Sequence, residues 1–418
     1  MRTTIVCFLA VMVIALASSL TAWRHPVDWS DPDSVFYQAR VVEIRGAPQP
    51  AALKHTFEGP IGRAARSWDH SHSYAANPAW VTYSARFYRR RWVVPALAAG
   101  LTGAFASRSL QIVSVIGYLL IGGLVYLLLR RRFSQLTSGV VAIACLWLPP
   151  VRWYSFAPLT DSWGIALLLA ALIAALTVLE RGERWLPCWL AVLGVLSVTR
   201  ETSIVAVGAA CVVAALTRTR RALWLAVSGV AVSIPALAIL GAPLRETLAY
   251  TLNNFERPTD PSWSFVTHHY LPELKSTVRS DLLFPHVSGW STPHTIVWYI
   301  GFATGLVGVL MLLFRRDDDE FFRLIRATLL GAALYIALSV NYSALRLELV
   351  FLPAVAVGLA LLVDSGQGVL RRVVGRGRFN GFDRPVLAPS GPAGTPRHAQ
   401  VELPGGSRSA RRDEYSEA

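Results

Sequence analysis

Apolar runs of 15 to 22 residues, almost free of internal charge, recur along this 418-residue chain. A run of that length crosses a hydrocarbon core of about 30 Å at 1.5 Å per helical residue. Ten are read at about 4–23, 108–129, 135–150, 159–179, 185–199, 202–217, 222–241, 294–314, 324–340 and 347–363. Composition agrees, with 53% apolar and 16% charged residues against roughly 45–50% and 25% in a soluble globular protein. The expected fold is an all-α polytopic membrane protein, one helical bundle over residues 1–363. From Asp364 the chain is rich in Gly, Pro, Ser and Arg. Such a stretch buries too little apolar surface to fold, so 364–418 reads as a disordered basic cytoplasmic tail.

The net charge of +14 is nearly all arginine, since Lys54 and Lys275 are the only lysines. In a soluble protein that excess would point to nucleic acid. Here the arginines flank apolar runs, which is the pattern of topology signals, so no nucleic-acid partner is expected. Arg130 to Arg132, Arg181 to Arg184, Arg218 to Arg221, Arg315-Arg316 and Arg371-Arg372 all fall on the cytoplasmic side if Arg2 is inside and ten spans follow. Both termini are then cytoplasmic, and two long polar segments, 24–107 and 242–293, lie outside. The 14 apolar residues 93–106 contain Pro95 and are too short to span. They read as an interfacial or re-entrant helix leading into the second span. The first run ends Ala-Ser-Ser-Leu-Thr-Ala at Ala22, as a cleavable signal would, but its length and the spans that follow favour a retained helix. Cys7, Cys145, Cys188 and Cys211 all sit in apolar runs, so no disulfide framework is implied.

Long loops in compact proteins are usually functional or disordered, and the aromatic content of the two outer segments argues against disorder. Asp28, Asp31 and Asp33 follow the first run directly. Asp33 suits the N-cap of a helix beginning near Ser34, a purely structural role. It suits equally a carboxylate held at the membrane surface as a general base. Asp161 opens the fourth run just beyond Pro149-Pro150, Arg200-Glu201 lies between the fifth and sixth, and Arg346 with Glu348 precedes the tenth beside Asn341-Tyr342. Ionisable residues at helix mouths are costly unless they cap a helix or face a cavity. Arginines there suit an anionic phosphate, which guanidinium binds bidentately.

The chain resembles the GT-C glycosyltransferases, multi-span enzymes that use polyprenyl-phosphate sugars, such as the protein mannosyltransferases and aminoarabinose transferases. The likeness rests on an outer acidic segment with Asp33, Tyr37 and Gly46, and on the segment Arg-Trp-Val-Val-Pro-Ala-Leu at 91–97. It rests further on Pro-Leu-Thr-Asp at 158–161 and on Tyr-Ser-Ala-Leu-Arg at 342–346 before a span containing Pro353. It implies that Asp33 or Asp31 is the base that deprotonates an acceptor hydroxyl, that Asp161 orients the acceptor or a metal, and that Arg346 holds the donor phosphate. Arg200, Glu201, Tyr37, His268 and His269 join as substrate-binding candidates. No adjacent Asp-Glu pair follows the first span, which leaves the choice among Asp28, Asp31 and Asp33 open. The implied partners are a polyprenyl-phosphate-linked sugar, the bilayer and an extracytoplasmic acceptor.

A divalent cation is a candidate cofactor, with Asp69, His70 and His72 as possible ligands, although their spacing is not that of a zinc site. Trp68, Tyr74, Trp80, Trp263 and Tyr270 could stack on sugar rings or anchor at the interface. Other readings are a transporter or flippase, or a non-catalytic assembly subunit. A transporter would carry an internal repeat and ionisable residues at mid-membrane, whereas the charges here gather at helix mouths. Reporter fusions test the topology: a fusion after Arg45 should report outside, and fusions after Arg131 and Gly377 should report inside.

Overall fold

The computed structural model describes residues 2–24, 27, 31–66, 74–240, 242–279, 292–316, 319–340, 346 and 349–379. Among these residues every regular element is a helix, as the apolar periodicity requires, and there is no strand.

The helices are α1 (Arg2–Trp23), α2 (Pro32–Ile44), α3 (Gln49–Glu58), α4 (Pro60–Arg66), α5 (Pro78–Tyr88), α6 (Val93–Phe105), α7 (Ser109–Leu129), α8 (Gln135–Trp147) and α9 (Pro149–Phe156). They continue with α10 (Asp161–Arg181), α11 (Leu186–Ser197), α12 (Ser203–Thr217), α13 (Arg220–Leu240), α14 (Leu244–Leu252), α15 (Trp263–Ser276), α16 (Thr292–Phe314), α17 (Glu320–Leu338) and α18 (Leu352–Phe379).

Among the described residues six helices are long and apolar enough to cross a membrane, and seven if α8 and α9 count as one bent span. These correspond to six or seven of the ten spans expected. The runs at 185–199 and 202–217 form the 12-residue α11 and the 15-residue α12. Both fall short of the roughly 20 residues a span needs. The helix α16 runs for 23 residues, Thr292–Phe314. The run at 135–150 breaks where Pro149 and Pro150 cannot donate backbone N–H groups, and α9 turns 62° away from α8.

The apolar stretch Val93–Leu129 runs for 37 residues, about twice a span. It is interrupted at Ala106, where φ is +47° and the chain leaves helical geometry between α6 and α7. The buried face of α6 carries Val94, Pro95 and Ala98, and Val94 and Ala98 share one core with Tyr37 and Val41 of α2 and Leu110 and Val113 of α7.

Charge collects at the two ends of α10. Asp161 opens the helix, and Glu180 lies near its other end. Nineteen residues separate them, roughly 28 Å at 1.5 Å per residue, with only apolar and small residues between. At the Glu180 end, Arg131 and Arg132 reach Glu180 at 2.6 and 2.9 Å, and Arg132 reaches Asp319 at 2.5 Å. Around the Asp161 end the two polar segments foreseen as outer meet. Tyr250 of α14 donates to Ser84 of α5 (2.9 Å), Arg86 pairs with Glu246 (2.9 Å), and Trp80 donates its indole N–H to the Phe255 carbonyl (2.9 Å).

Close backbone contact holds the bundle where lipid tails offer no hydrophobic drive between helices. Gly208 of α12 meets Gly331 of α17, and Gly308 of α16 meets Gly358 of α18. A Cβ at Gly331 would run into the Val205 carbonyl oxygen. Gly331→Ala should therefore destabilise the protein by about 1–3 kcal/mol through overpacking. Gly100→Ala, whose added Cβ meets nothing within 4 Å, should leave the thermal midpoint in detergent unchanged or higher.

Candidate active site

The sequence Asp-Pro-Asp builds the start of α2. Asp31 is the N-cap, in extended geometry, and its Oδ1 accepts from the Asp33 N–H at 3.0 Å. Pro32 follows at the first helical position, where a missing N–H costs nothing, and Asp33 sits in the first turn, favoured by the helix dipole. The cap is thus Asp31 and not Asp33, and the helix begins two residues before Ser34. Capping engages only one oxygen of Asp31. Its Oδ2 is free to reach elsewhere.

It reaches Arg346. That guanidinium contacts Asp31 Oδ2 at 2.9 Å, Asp33 Oδ2 at 2.7 Å and Asp161 Oδ1 at 3.3 Å. It also lies over the Tyr154 ring, 5.3 Å from its centroid. Asp161 is 3% exposed and holds a second arginine, Arg200, at 3.0 Å. Arg200 donates further to Thr160, whose hydroxyl donates to Tyr37 at 3.1 Å. Thr160 makes no capping bond at the start of α10, so Asp161 in that first turn is held by arginines and not by a cap role.

Tyr37 joins this group to another. Arg91 Nη1 donates to the Tyr37 hydroxyl at 2.8 Å and lies 3.8 Å from Asp33 Oδ2. Arg91 binds Glu201 through Nε (3.1 Å) and Nη2 (2.5 Å), and Arg90 binds the same Glu201 oxygen. The Tyr88 hydroxyl donates to Asp33 Oδ1 at 2.5 Å. The result is a buried network in which Asp31, Asp33, Asp161 and Glu201 face Arg90, Arg91, Arg200 and Arg346. Unpaired charges in such surroundings would cost several kcal/mol each.

The two aspartates of α2 differ in charge environment. Burial pushes the Asp31 carboxyl up, to about 6, with Arg346 opposing and Asp33 and Asp161 adding to the rise. Burial acts on Asp33 too, but Arg346, Arg91 and the Tyr88 hydroxyl outweigh it and hold Asp33 below its ordinary value. The Asp31 side chain is also the more exposed, at 24% against 13%.

Of the residues singled out in the sequence, Asp31, Asp33, Tyr37, Asp161, Arg200, Glu201 and Arg346 are brought together. His268 and His269 are not: they are exposed on α15, where His269 contacts the Phe265 carbonyl, and neither shares a hydrogen bond or ion pair with the cluster. Asp28, Asp69, His70, His72, Asn341, Tyr342 and Glu348 lie outside the described residues. Sequence reasoning missed Tyr88, Arg90, Arg91, Thr160 and Tyr154. A signal for the arginines was available. Arg89-Arg90-Arg91 is a basic run in a segment read as outer, against the positive-inside tendency. Among the described residues no group of three His, Cys, Asp or Glu side chains is placed to hold a metal ion. Each carboxylate of the cluster already faces a guanidinium, so the residues do not fit a divalent cation.

The structure also holds an apolar cavity of about 310 Å³. Pro149, Pro150 and Val151 of α9 line it, as do Gly305 of α16 and Leu349 and Phe351, which follow Arg346 in the chain.

Arg91→Ala should strip Glu201, Tyr37 and Asp33 of a buried donor and destabilise the protein by about 3–5 kcal/mol, read by thermal melting in detergent. Arg89→Ala, at an exposed residue bonded to Gln49, should cost less than about 1 kcal/mol.

No curated protein and no solved structure matches the chain. Arg91, Asp161, Arg200 and Glu201 fall within the one stretch that does match a family, whereas Asp31, Asp33 and Arg346 flank it. Residues 91–243 match the model of the dolichyl-phosphate-mannose-protein mannosyltransferases, a family of the GT-C superfamily, which bears out the resemblance read from the sequence.

Proposed function

We propose that the chain transfers a sugar from a polyprenyl-phosphate donor to an acceptor on the outer face of the membrane, with Asp31 as general base. The family match supports a glycosyltransferase using such a donor. The observation that carries the assignment of the base is the asymmetry between the two aspartates of α2. Asp33 is held ionised by Tyr88, Arg91 and Arg346 and is a weak base. Asp31 keeps one arginine, partial exposure and a carboxyl near 6, closer to the operating pH where a general base is most effective.

In this reading the acceptor O–H gives its proton to Asp31 as its oxygen attacks the anomeric carbon. The bond from that carbon to the phosphate oxygen breaks, and the lipid phosphate leaves as an anion. Arg346, with Arg200 behind it on Asp161, supplies positive charge where the leaving group develops negative charge. The apolar cavity offers room for the first isoprenoid units of the lipid tail. Asp33, Arg91 and Glu201 position the arginines. A transporter is disfavoured because the charges sit at the ends of α10 and not along its middle.

The test is a glycan and lipid-linked-sugar profile of a deletion strain complemented with variants. Asp31→Asn should lower product formation by about 10²–10⁴-fold. Asp161→Asn should also fail to restore the product. Full restoration by both would overturn the site. Loss with Asp33→Asn but not with Asp31→Asn would move the base to Asp33.

A further inference from the structure

We propose that Asp31 and a lipid phosphate compete for Arg346, so that phosphate binding releases Asp31 and the donor must bind before the acceptor is activated. This rests on the glycosyl-transfer reading above, and it adds an order of events that the reading does not itself require.

Three observations carry it. First, both terminal nitrogens of Arg346 already bond carboxylates. Nη1 lies on Asp33 at 2.7 Å and Nη2 on Asp31 at 2.9 Å. Nε is 3.3 Å from Asp161 Oδ1 but makes no hydrogen bond. A phosphate binds guanidinium best through two parallel N–H groups, and both terminal nitrogens here point at carboxylates. A phosphate that takes both terminal nitrogens therefore competes with Asp31 and Asp33 for the same guanidinium.

Second, the three carboxylates are unequal in what they lose. Asp161 keeps Arg200, at 3.0 and 3.3 Å. Asp33 keeps the Tyr88 hydroxyl at 2.5 Å and Arg91 at 3.8 Å. Among the described residues Asp31 keeps the Asp33 N–H on its other oxygen and no second arginine. The charged groups facing Asp31 are Arg346, Asp33 of its own helix and Asp161 of α10. Once Arg346 is drawn off, two carboxylates and the phosphate remain as neighbours. Every one of them strengthens Asp31 as a base.

Third, Arg346 is tied to the walls of the apolar cavity through the helix it stacks on and through its neighbours in the chain. Tyr154, under its guanidinium, is on α9, whose Pro149, Pro150 and Val151 line the cavity, and Leu349, Phe351 and Leu352 line it from the other side. Among the cluster's arginines Arg346 is the one tied to that lining, through Leu349 and Phe351 after it in the chain, so we assign it the phosphate of a lipid in the cavity.

The experiment is binding of decaprenyl monophosphate to the full-length protein in detergent, as wild type, Asp31→Asn, Arg346→Gln and the double variant. Competition predicts that Asp31→Asn binds about tenfold more tightly than wild type, and that this gain disappears in the Arg346→Gln background. An equal gain in both backgrounds would mean simple charge repulsion and would overturn the proposal. So would an unchanged or weaker Asp31→Asn. Should Arg346→Gln fail to fold, a pH series on wild type and Asp31→Asn alone decides. The affinity gap should close between about pH 8 and pH 5 as Asp31 protonates and ceases to compete, whereas a gap constant with pH would sink the idea. If decaprenyl monophosphate binds no folded form, the lipid-phosphate reading falls and the competition falls with it.

Discussion

Arg346 contacts three carboxylates from two helices far apart in sequence, and the rest of this end of the molecule is arranged around that contact. Asp31 and Asp33 come from the start of α2, Asp161 from the start of α10. Arg200 and Glu201 come from the turn between α11 and α12, and Arg90 and Arg91 from the link between α5 and α6. These segments share one apolar core, and their charged ends meet at its edge. Charges moved out of water cost several kcal/mol each unless each finds a partner with good geometry. Asp161, Arg200 and Arg91 are nearly inaccessible and each is paired. The network therefore ties the helix mouths to one another.

That arrangement leaves a clear division along α10. Acids and arginines occupy both ends of the helix, while the intervening residues bury an apolar core with Leu168, Leu172 and Leu176 fully inaccessible. The Glu180 end is structural in character, with exposed or half-buried arginines bridging Glu180 and Asp319. At the Asp161 end the ions are more deeply buried and more interconnected. Two charge layers about one bilayer thickness apart suit an enzyme that works on a lipid-borne phosphate at one interface.

Particular residues show where reading the sequence stopped. Asp31 and Asp33 were both visible as candidates, but choosing between cap and base presumed a choice. Asp31 caps α2 and still reaches Arg346, because a carboxylate has two oxygens and capping uses one. Arg90 and Arg91 looked like flanking charge, and only their bonds to Glu201 and Tyr37 reveal a role. His268 and His269 looked chemically suited, yet α15 presents them to the exterior. The short runs at α11 and α12 looked like spans because hydropathy reports composition. Whether 12 or 15 residues reach across depends on where their ends are anchored, and Arg200 and Glu201 anchor the turn between them in the ionic cluster.

The amino-acid sequence by itself determined that this chain is helical and membrane-embedded, since apolar runs can satisfy their backbone in lipid only by forming helices. It also determined which helix mouths carry charge, because those positions are local features of the chain. Tertiary structure alone decided which mouths share one end and which carboxylate keeps a single arginine. It likewise decided which residues line the apolar cavity. These are pairings between residues more than a hundred positions apart, such as Arg91 with Glu201 and Arg346 with Asp31. Electrostatic partnership at that separation is set by helix packing, to which no local pattern of residues is bound.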